Sequence, residues 1–349
     1  MKAFLRRTAQ ILDIREAEVP EVLKNSPLKT LRVNHLKFEP GTTTAEADNI
    51  VLKELAKAEV DAHPVPWYGD AYTFNVEDTS KVQSLALTQE GKIFIQNPSS
   101  YLPVLALEPT DDARILDMCS APGGKASMIA ILAGTSSNLV LNEPKGWRLR
   151  KLNEVVEMLG LTDATISSFD GRHLPNLLVP QKFGRVLVDA ECSTEAGMNF
   201  ASKNPLKGWS LQMVKRLSVL QKQLITAGYD LLEPGGILVY STCTLSPEEN
   251  EGVITSLLQR REGAIIQPLK FNAEKNIRKI KTWEGIKYPA EVSSGVLRIY
   301  PSDHMEGFFV ARIRKSTNEP RTDRTFTNPV DLKEIASRYC DINRAAILN

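Results

Sequence analysis

The 349-residue sequence predicts an α/β fold, a doubly wound Rossmann-like sheet preceded by a small α+β unit. Three observations predict it. From about residue 110 onward, short all-apolar segments alternate with longer amphipathic ones, the rhythm of strands buried on both faces and joined by helices. Upstream of that point the repeat is absent and the strands are of mixed polarity. Polar and sulfur-bearing residues follow directly on the apolar segments, which in an open parallel sheet gathers them at one edge.

In order along the chain, Leu28–Phe38 reads as a strand. Thr42–Ala58 reads as a helix capped by a threonine, with Ile50, Val51 and Leu55 on one face. Val65–Phe74 and Lys81–Gln96 read as further strands, with a turn at Glu90–Gly91. Arg114–Met118 is then a short apolar strand, followed by a glycine-rich turn and a helix over Lys125–Ala133 that Gly134 ends. Asn138–Leu141 is a strand and the segment to Gly160 a helix. Ala164–Ser168, Arg185–Val188 and Ile237–Ser241 are strands, with a long helix over Leu211–Leu232 before the last. Ser246-Pro247-Glu248-Glu249 has the form of a capping box with proline at the first helical position, so a helix is expected to start there. Leu297–Tyr300 and Gly307–Arg314 form an expected hairpin. From Ser316 the pattern lapses until a short helix at Asp331–Arg338. The expected division is a small unit over 1–95, a catalytic domain over 96–315 and a tail over 316–349.

Composition narrows the class. Hydrophobic residues at 42% and charged residues at 24% exclude a disordered or fibrous chain. No segment reaches the roughly 20 apolar residues of a membrane span. Asp13 and Glu16 interrupt the first segment, which argues against a signal peptide. The four cysteines, at 119, 192, 243 and 340, make no metal-type pair and no disulfide framework, so a cytoplasmic protein without bound metal is expected. A net charge of +1 carries no sign of a polyanionic partner, yet the sum hides local bias. Residues 270–287 hold six basic side chains against two acidic, and residues 39–61 hold six acids against two lysines. Partner choice depends on where charge sits.

The strand ends carry the candidate chemistry. Asp117, Cys119, Ser120, Ala121, Pro122, Gly123, Gly124 and Lys125 follow the first strand of the doubly wound unit, Glu143 the second and Asp170 the third. Asp189, Glu191 and Cys192 follow the fourth, and Thr242 and Cys243 the fifth. Gly123 and Gly124 allow close backbone approach, and the next helix offers free N–H groups to an anion. Glu143 is placed to accept from ribose hydroxyls. The turn does not read G-x-G-x-x-G, which disfavours a pyrophosphate and a nicotinamide enzyme. A carboxylate, as in S-adenosylmethionine, is the better anion. A single buried cysteine is ordinarily a small hydrophobe, but two at strand tips suit covalent catalysis, in which a thiolate adds to an electron-poor ring carbon and is later expelled.

These residues resemble the NSUN/RsmB-type (Sun-like) RNA cytosine-5 methyltransferases. The matching stretches are Arg32-Val-Asn-His-Leu-Lys37, Gln96-Asn-Pro-Ser-Ser-Tyr-Leu-Pro103, Leu116-Asp-Met-Cys-Ser-Ala-Pro-Gly-Gly-Lys125, Asp189-Ala-Glu-Cys192, Tyr240-Ser-Thr-Cys-Thr-Leu-Ser-Pro-Glu-Glu-Asn250 and Glu306-Gly-Phe-Phe-Val-Ala-Arg312. They run in order over most of the chain. The resemblance implies a class I methyltransferase sheet with an RRM-like N-terminal unit and S-adenosylmethionine as cofactor. It implies that Cys243 attacks carbon-6 of cytosine and that Cys192 assists loss of the carbon-5 proton and product release. Asp189 would contact the base, and Lys125 would pair with Asp189. The cofactor would lie on Cys119–Lys125, with Glu143 on the ribose, Asp170 near the adenine, and Asp189 and Arg148 in support.

One departure stands out. The family usually has proline before the second cysteine, where this chain has Glu191. A carboxylate beside a thiol disfavours the thiolate, which favours Cys243 over Cys192 as nucleophile. A catalytically impaired RNA-binding or assembly factor is the competing reading, and Glu191 is its one support.

The target base must be single-stranded or flipped out. The stretch 270–287, with Phe271 and Trp283 among its basic residues, suits backbone contact and stacking. Trp67, Tyr68, Tyr72 and Phe74 of the first unit either stack on RNA or fill the core. The expected partner is tRNA or rRNA, bound by a monomer close to the minimal catalytic core.

Overall fold

In the computed structural model, residues 1–24, 26–272, 277, 279–317 and 329–345 are described, with side chains as far as 338. Two sheets dominate. The first is antiparallel, built from β1 (Leu28–Val33), β2 (Ala62–Val65), β3 (Tyr68–Asn75) and β4 (Ile93–Ile95) in the order β2-β3-β1-β4. A helix, Thr44–Lys57, joins β1 to β2. Its N-terminus is fixed by a capping box in which Thr43 Oγ1 accepts from the Glu46 amide and Glu46 accepts from the Thr43 amide. Val51 and Leu55 of this helix pack on Leu31, Val33, Tyr72 and Phe74. The β-α-β-β-α-β order is that of an RRM-like unit.

Lys81–Gln96 is not a strand throughout. Thr79–Ser84 and Ala86–Gln89 are short helices, and only Ile93–Ile95 pairs with β1. Val82 and Leu87 are buried three to five residues apart beneath the sheet, so the apolar residues follow a helical period rather than alternation.

The second sheet has eight strands. Its parallel part comprises β5 (Ile115–Asp117), β6 (Leu139–Asn142), β7 (Thr165–Ser167), β8 (Phe183–Asp189) and β9 (Leu232–Thr242), ordered β7-β6-β5-β8-β9. β10 (Ala264–Gln267), β11 (Leu297–Ile299) and β12 (Phe308–Lys315) complete it. β12 lies antiparallel between β9 and β10, and β11 pairs with β12 as the expected hairpin. The order reverses between β5 and β8, the switch point at which doubly wound sheets bind ligands. Apolar side chains such as Leu116, Leu141, Leu187 and Val239 are fully buried, as expected for strands covered on both faces.

Three further differences from the expected elements have physical causes. The helix after Ser246 begins at Glu251, not at Pro247, because Ser246 Oγ is spent on Glu195 and the Glu249 carboxylate on Ser193 and Gln221. The C-terminal helix runs Leu332–Ala345, with Leu332, Ile335 and Ala336 buried against Tyr68, Tyr101 and Phe271. Lys2–Leu12 is a helix whose Phe4, Ile11 and Leu12 pack not on the first sheet but with Ala196, Leu245, Trp283 and Tyr288. Among the described residues, no helix is long and apolar enough to cross a membrane.

Candidate active site

β5 ends at Asp117, and the chain turns through Cys119–Gly123 into the helix Gly124–Ala133. Gly123 takes a φ of 115° there, and a Cβ on it would meet Val155 Cγ1 at 2.9 Å; one on Gly124 would meet Phe94 Cε1 at 2.9 Å. Both glycines are therefore required by close packing as well as by the turn. The turn is pinned to β6 by the Ser120 amide, which donates to the Asn142 carbonyl (3.0 Å), and to Arg148, whose Nη2 donates to the Ala121 carbonyl (2.7 Å).

A cavity of about 180 Å³ opens over this turn. Cys119, Ser120, Ala121, Pro122, Gly124, Lys125 and Asp189 line it, together with Asp117 and with Phe94, Ile95, Gln96 and Ser100. The structure thus brings most of the expected cofactor residues together. Glu143 lies beside them at the end of β6, 1% exposed. Its Oε1 accepts from the Lys145 amide (2.9 Å), while Oε2 makes no hydrogen bond and stands 3.3 Å from Arg148 Nε. Asp170 does not join the cavity lining. It caps the turn Gly171–His173, and both its oxygens are held by Arg172, which keeps the carboxyl at about 2.

Lys125 Nζ lies 2.8 Å from Asp189 Oδ2 and 5.5 Å above the Phe308 ring. Burial pulls the ammonium pKa down, but Asp189 outweighs it and the net shift is upward. Ser241 Oγ donates to the other Asp189 oxygen (2.7 Å), as the register pairing of Asp189 with Ser241 requires. Asp117 is pushed up to about 7 by burial and by the Asp189 charge.

The tips of β8 and β9 place Cys192 Sγ 3.4 Å from Cys243 Sγ. The Cys192 thiol is pushed well up by its hydrogen bond to Cys243, by burial, and by the charges of Cys243 and Glu249. Glu191 is not among the causes. Its carboxylate is engaged by Lys145 Nζ at 2.6 Å, both side chains 42% exposed, so the expectation that it tunes the neighbouring thiol is corrected. Cys119 is likewise pushed up, by burial and three carboxylates.

Sequence reasoning missed what stands behind the cysteines. Glu249 is fully buried and accepts from the Ser193 amide (3.1 Å), Ser193 Oγ and Gln221 Nε2 (2.8 Å). Glu195 accepts from Trp209 Nε1 (2.8 Å), Ser246 Oγ (2.8 Å) and Thr244 Oγ1 (3.1 Å). These bonds tie the Cys192 loop to the Cys243 loop. The capping-box reading concealed Glu249; the signal was a pair of acids beside an all-apolar strand end.

The aromatic candidates for RNA stacking are core residues. Trp67, Tyr68, Tyr72 and Phe74 are all buried, as are Phe271 and Trp283. Trp67 and Tyr68 pack on Tyr101, because the face of the first sheet away from its helix lies against the second unit. The basic residues Lys275 and Arg278 of the 270–287 stretch lie outside the described residues.

A family described as 16S rRNA methyltransferase RsmB/F matches residues 104–314. The chain belongs to this family. RsmB/F enzymes use S-adenosylmethionine, and the strand order seen here is that of class I methyltransferases. Among curated relatives, the ribosomal RNA small subunit methyltransferase F of Vibrio campbellii is 36% identical over 297 residues, covering 83% of this chain and 57% of the relative. That of Serratia proteamaculans is 31% identical, covering 91% of this chain and 64% of the relative. The chain thus spans about three-fifths of the length of the curated RsmF proteins it matches. A solved methyltransferase homolog protein from Pyrococcus horikoshii superposes with a TM-score of 0.73 at 30% identity, over 90% of this chain and 95% of that one. NSun6 from the same organism shares the fold at 21% identity and a TM-score of 0.70, over 91% and 99%.

Proposed function

We propose that the chain methylates carbon-5 of a cytosine in RNA, through a transient bond between Cys243 and the base, with small-subunit ribosomal RNA as the substrate class. The observation that carries this reading is the pair of sulfurs 3.4 Å apart beside the Lys125–Asp189 ion pair.

The cavity residues fit S-adenosylmethionine. Glu143 Oε2 is a buried acceptor with no hydrogen bond, which a ribose hydroxyl satisfies. Asp117, held half-protonated near pH 7 by burial, lines a cavity in which a sulfonium cation favours its ionised form. When bound, the cofactor supplies an electrophilic methyl group. The Cys243 thiolate adds to carbon-6, which moves electron density onto carbon-5. Asp189, held between Lys125 Nζ and Ser241 Oγ, contacts the base and supports a proton on its ring nitrogen. The carbon-5 proton then leaves with the assistance of Cys192, the carbon-6–sulfur bond breaks, and its electron pair returns to Cys243.

The reading as an impaired RNA-binding factor rested on Glu191, whose carboxylate is paired with Lys145 at the surface; no observation now favours it. The relatives' printed names favour ribosomal over transfer RNA. The experiment is incubation with tritiated S-adenosylmethionine and either small-subunit rRNA or total tRNA, followed by bisulfite sequencing. Label in rRNA at a protected cytosine is expected. Label in neither RNA overturns the reading.

A further inference from the structure

We infer that Glu306 reads the exocyclic amine of the target cytosine, at the inner end of a groove whose outer end is basic; the inference rests on the cytosine-methylation reading and names its specificity residue. The groove, about 330 Å³, is lined by Lys24, Lys29, Asn97, Gly197 and Glu306, among others. It is continuous with the cofactor cavity, because Ile95 and Gln96 form walls of both. It is also continuous with the reacting sulfurs. Its Ala196–Met198 wall hangs from the nucleophile, the Ala196 amide donating to the Cys243 carbonyl at 3.2 Å.

Glu306 is held in a fixed orientation. Asn97 Oδ1 accepts from the Ser99 amide (3.0 Å) and from Ser99 Oγ (2.7 Å), which leaves Asn97 Nδ2 as the donor to the Glu306 carboxylate. Gly197 gives that carboxylate room: a Cβ there would stand 3.8 Å from Glu306 Oε2. Lys125, already paired with Asp189, adds its field to Glu306 as well. Two carboxylates, Asp189 and Glu306, therefore flank one ammonium where groove and cavity meet. Lys29 and Lys24 are exposed at the other end.

That polarity matches one nucleotide edge. Cytosine presents an N4 amino donor where uracil presents an O4 acceptor, so a carboxylate accepts from the first and repels the second. The phosphate of the same nucleotide carries a negative charge, which the lysine end suits. Asp189 supports the ring nitrogen, leaving the amine for a second acceptor; Glu306 is the carboxylate of the groove wall with room to supply it.

The test uses small-subunit rRNA transcribed with either 5-fluorocytidine or 5-fluorouridine. Fluorine at carbon-5 replaces the proton that must leave, so a methylated base stays bonded to Cys243 and the adduct survives a denaturing gel. Wild-type protein is expected to trap the fluorocytidine RNA at least tenfold more than the fluorouridine RNA. Glu306→Gln, whose amide can either accept or donate, is expected to bring that ratio close to one. Asn97→Ala is expected to lower it in part. Binding of S-adenosylhomocysteine by both variants at wild-type affinity confirms that the fold and cofactor cavity are intact. An unchanged ratio in Glu306→Gln overturns the inference while leaving the methylation reading in place. A wild type that traps neither RNA overturns both.

Discussion

The sulfurs of Cys192 and Cys243 lie 3.4 Å apart although 51 residues separate them in the chain. The parallel pairing of β8 with β9, with Asp189 opposite Ser241, brings their strand ends side by side. Two thiols at this distance share their protons, and the charge states of the pair are coupled.

Cys243→Ala removes the proposed nucleophile and should lower methyl transfer at least ~1000-fold, since single losses within a catalytic unit cost nearly as much as the whole. Cys192→Ala should leave the attack intact and stall release, so a protein–RNA band persists on a denaturing gel. Methyl transfer by Cys243→Ala at the wild-type rate would remove Cys243 from the mechanism.

Lys125→Met should lower kcat/KM by about 100-fold, near 2.7 kcal/mol of transition-state stabilisation, because Asp189 loses its counter-charge at 2.8 Å. Asp189→Asn should fall in the same range, and the double variant should cost less than the sum, as residues sharing one interaction do. Additive losses in steady-state assays would show that the pair acts separately.

Glu143→Gln should weaken S-adenosylhomocysteine binding by about tenfold, ~1.4 kcal/mol, because the open Oε2 acceptor becomes half donor. Calorimetric titration measures this directly. Asp170→Asn should have a smaller effect, its oxygens being committed to Arg172.

Much of this site was legible because strand ends in a doubly wound sheet converge by topology alone, so Lys125, Asp189, Cys192 and Cys243 could be grouped before any distance was known. What escaped were decisions made by competing partners. Glu249 has the spacing of a capping residue, yet Ser193 and Gln221 hold its carboxylate more favourably than a helix N-terminus does. Glu191 sits next to Cys192 in sequence, but successive residues at a strand end diverge, and Lys145 reaches it first. The aromatics of the first sheet fit a stacking surface and instead pack against the helix Tyr101–Leu107, because the second unit covers that face.

Lys145→Ala and Glu191→Ala should each change stability by under ~1 kcal/mol and activity by no more than about twofold, since both partners of this ion pair are 42% exposed and such pairs contribute little. Denaturant titration and methyl-transfer rates check both figures. A tenfold loss in Glu191→Ala would restore a direct role beside the thiol.

Glu249 sets a pH dependence whose sign follows from burial. Its carboxyl is pushed up to about 7, by desolvation first, with Ser193 and Gln221 opposing and Glu195 adding to the rise. In the unfolded chain it titrates near 4.3. The fold therefore prefers the protonated form, and the stability this contributes is fully present below about pH 4.3 and lost as pH rises through 7. Asp117 acts in the same direction, pushed up to about 7 by burial and Asp189. The Tm should accordingly fall between pH 5 and pH 8. Glu249→Gln keeps a neutral group that can accept from the Ser193 amide and donate to Ser193 Oγ, so its Tm should fall less steeply over that interval, with the residual slope belonging to Asp117. Thermal melts at half-unit pH steps decide the matter: parallel curves for the two proteins would mean that Glu249 is ionised in the fold throughout this range and that its hydrogen bonds, not its proton, hold the two cysteine loops together.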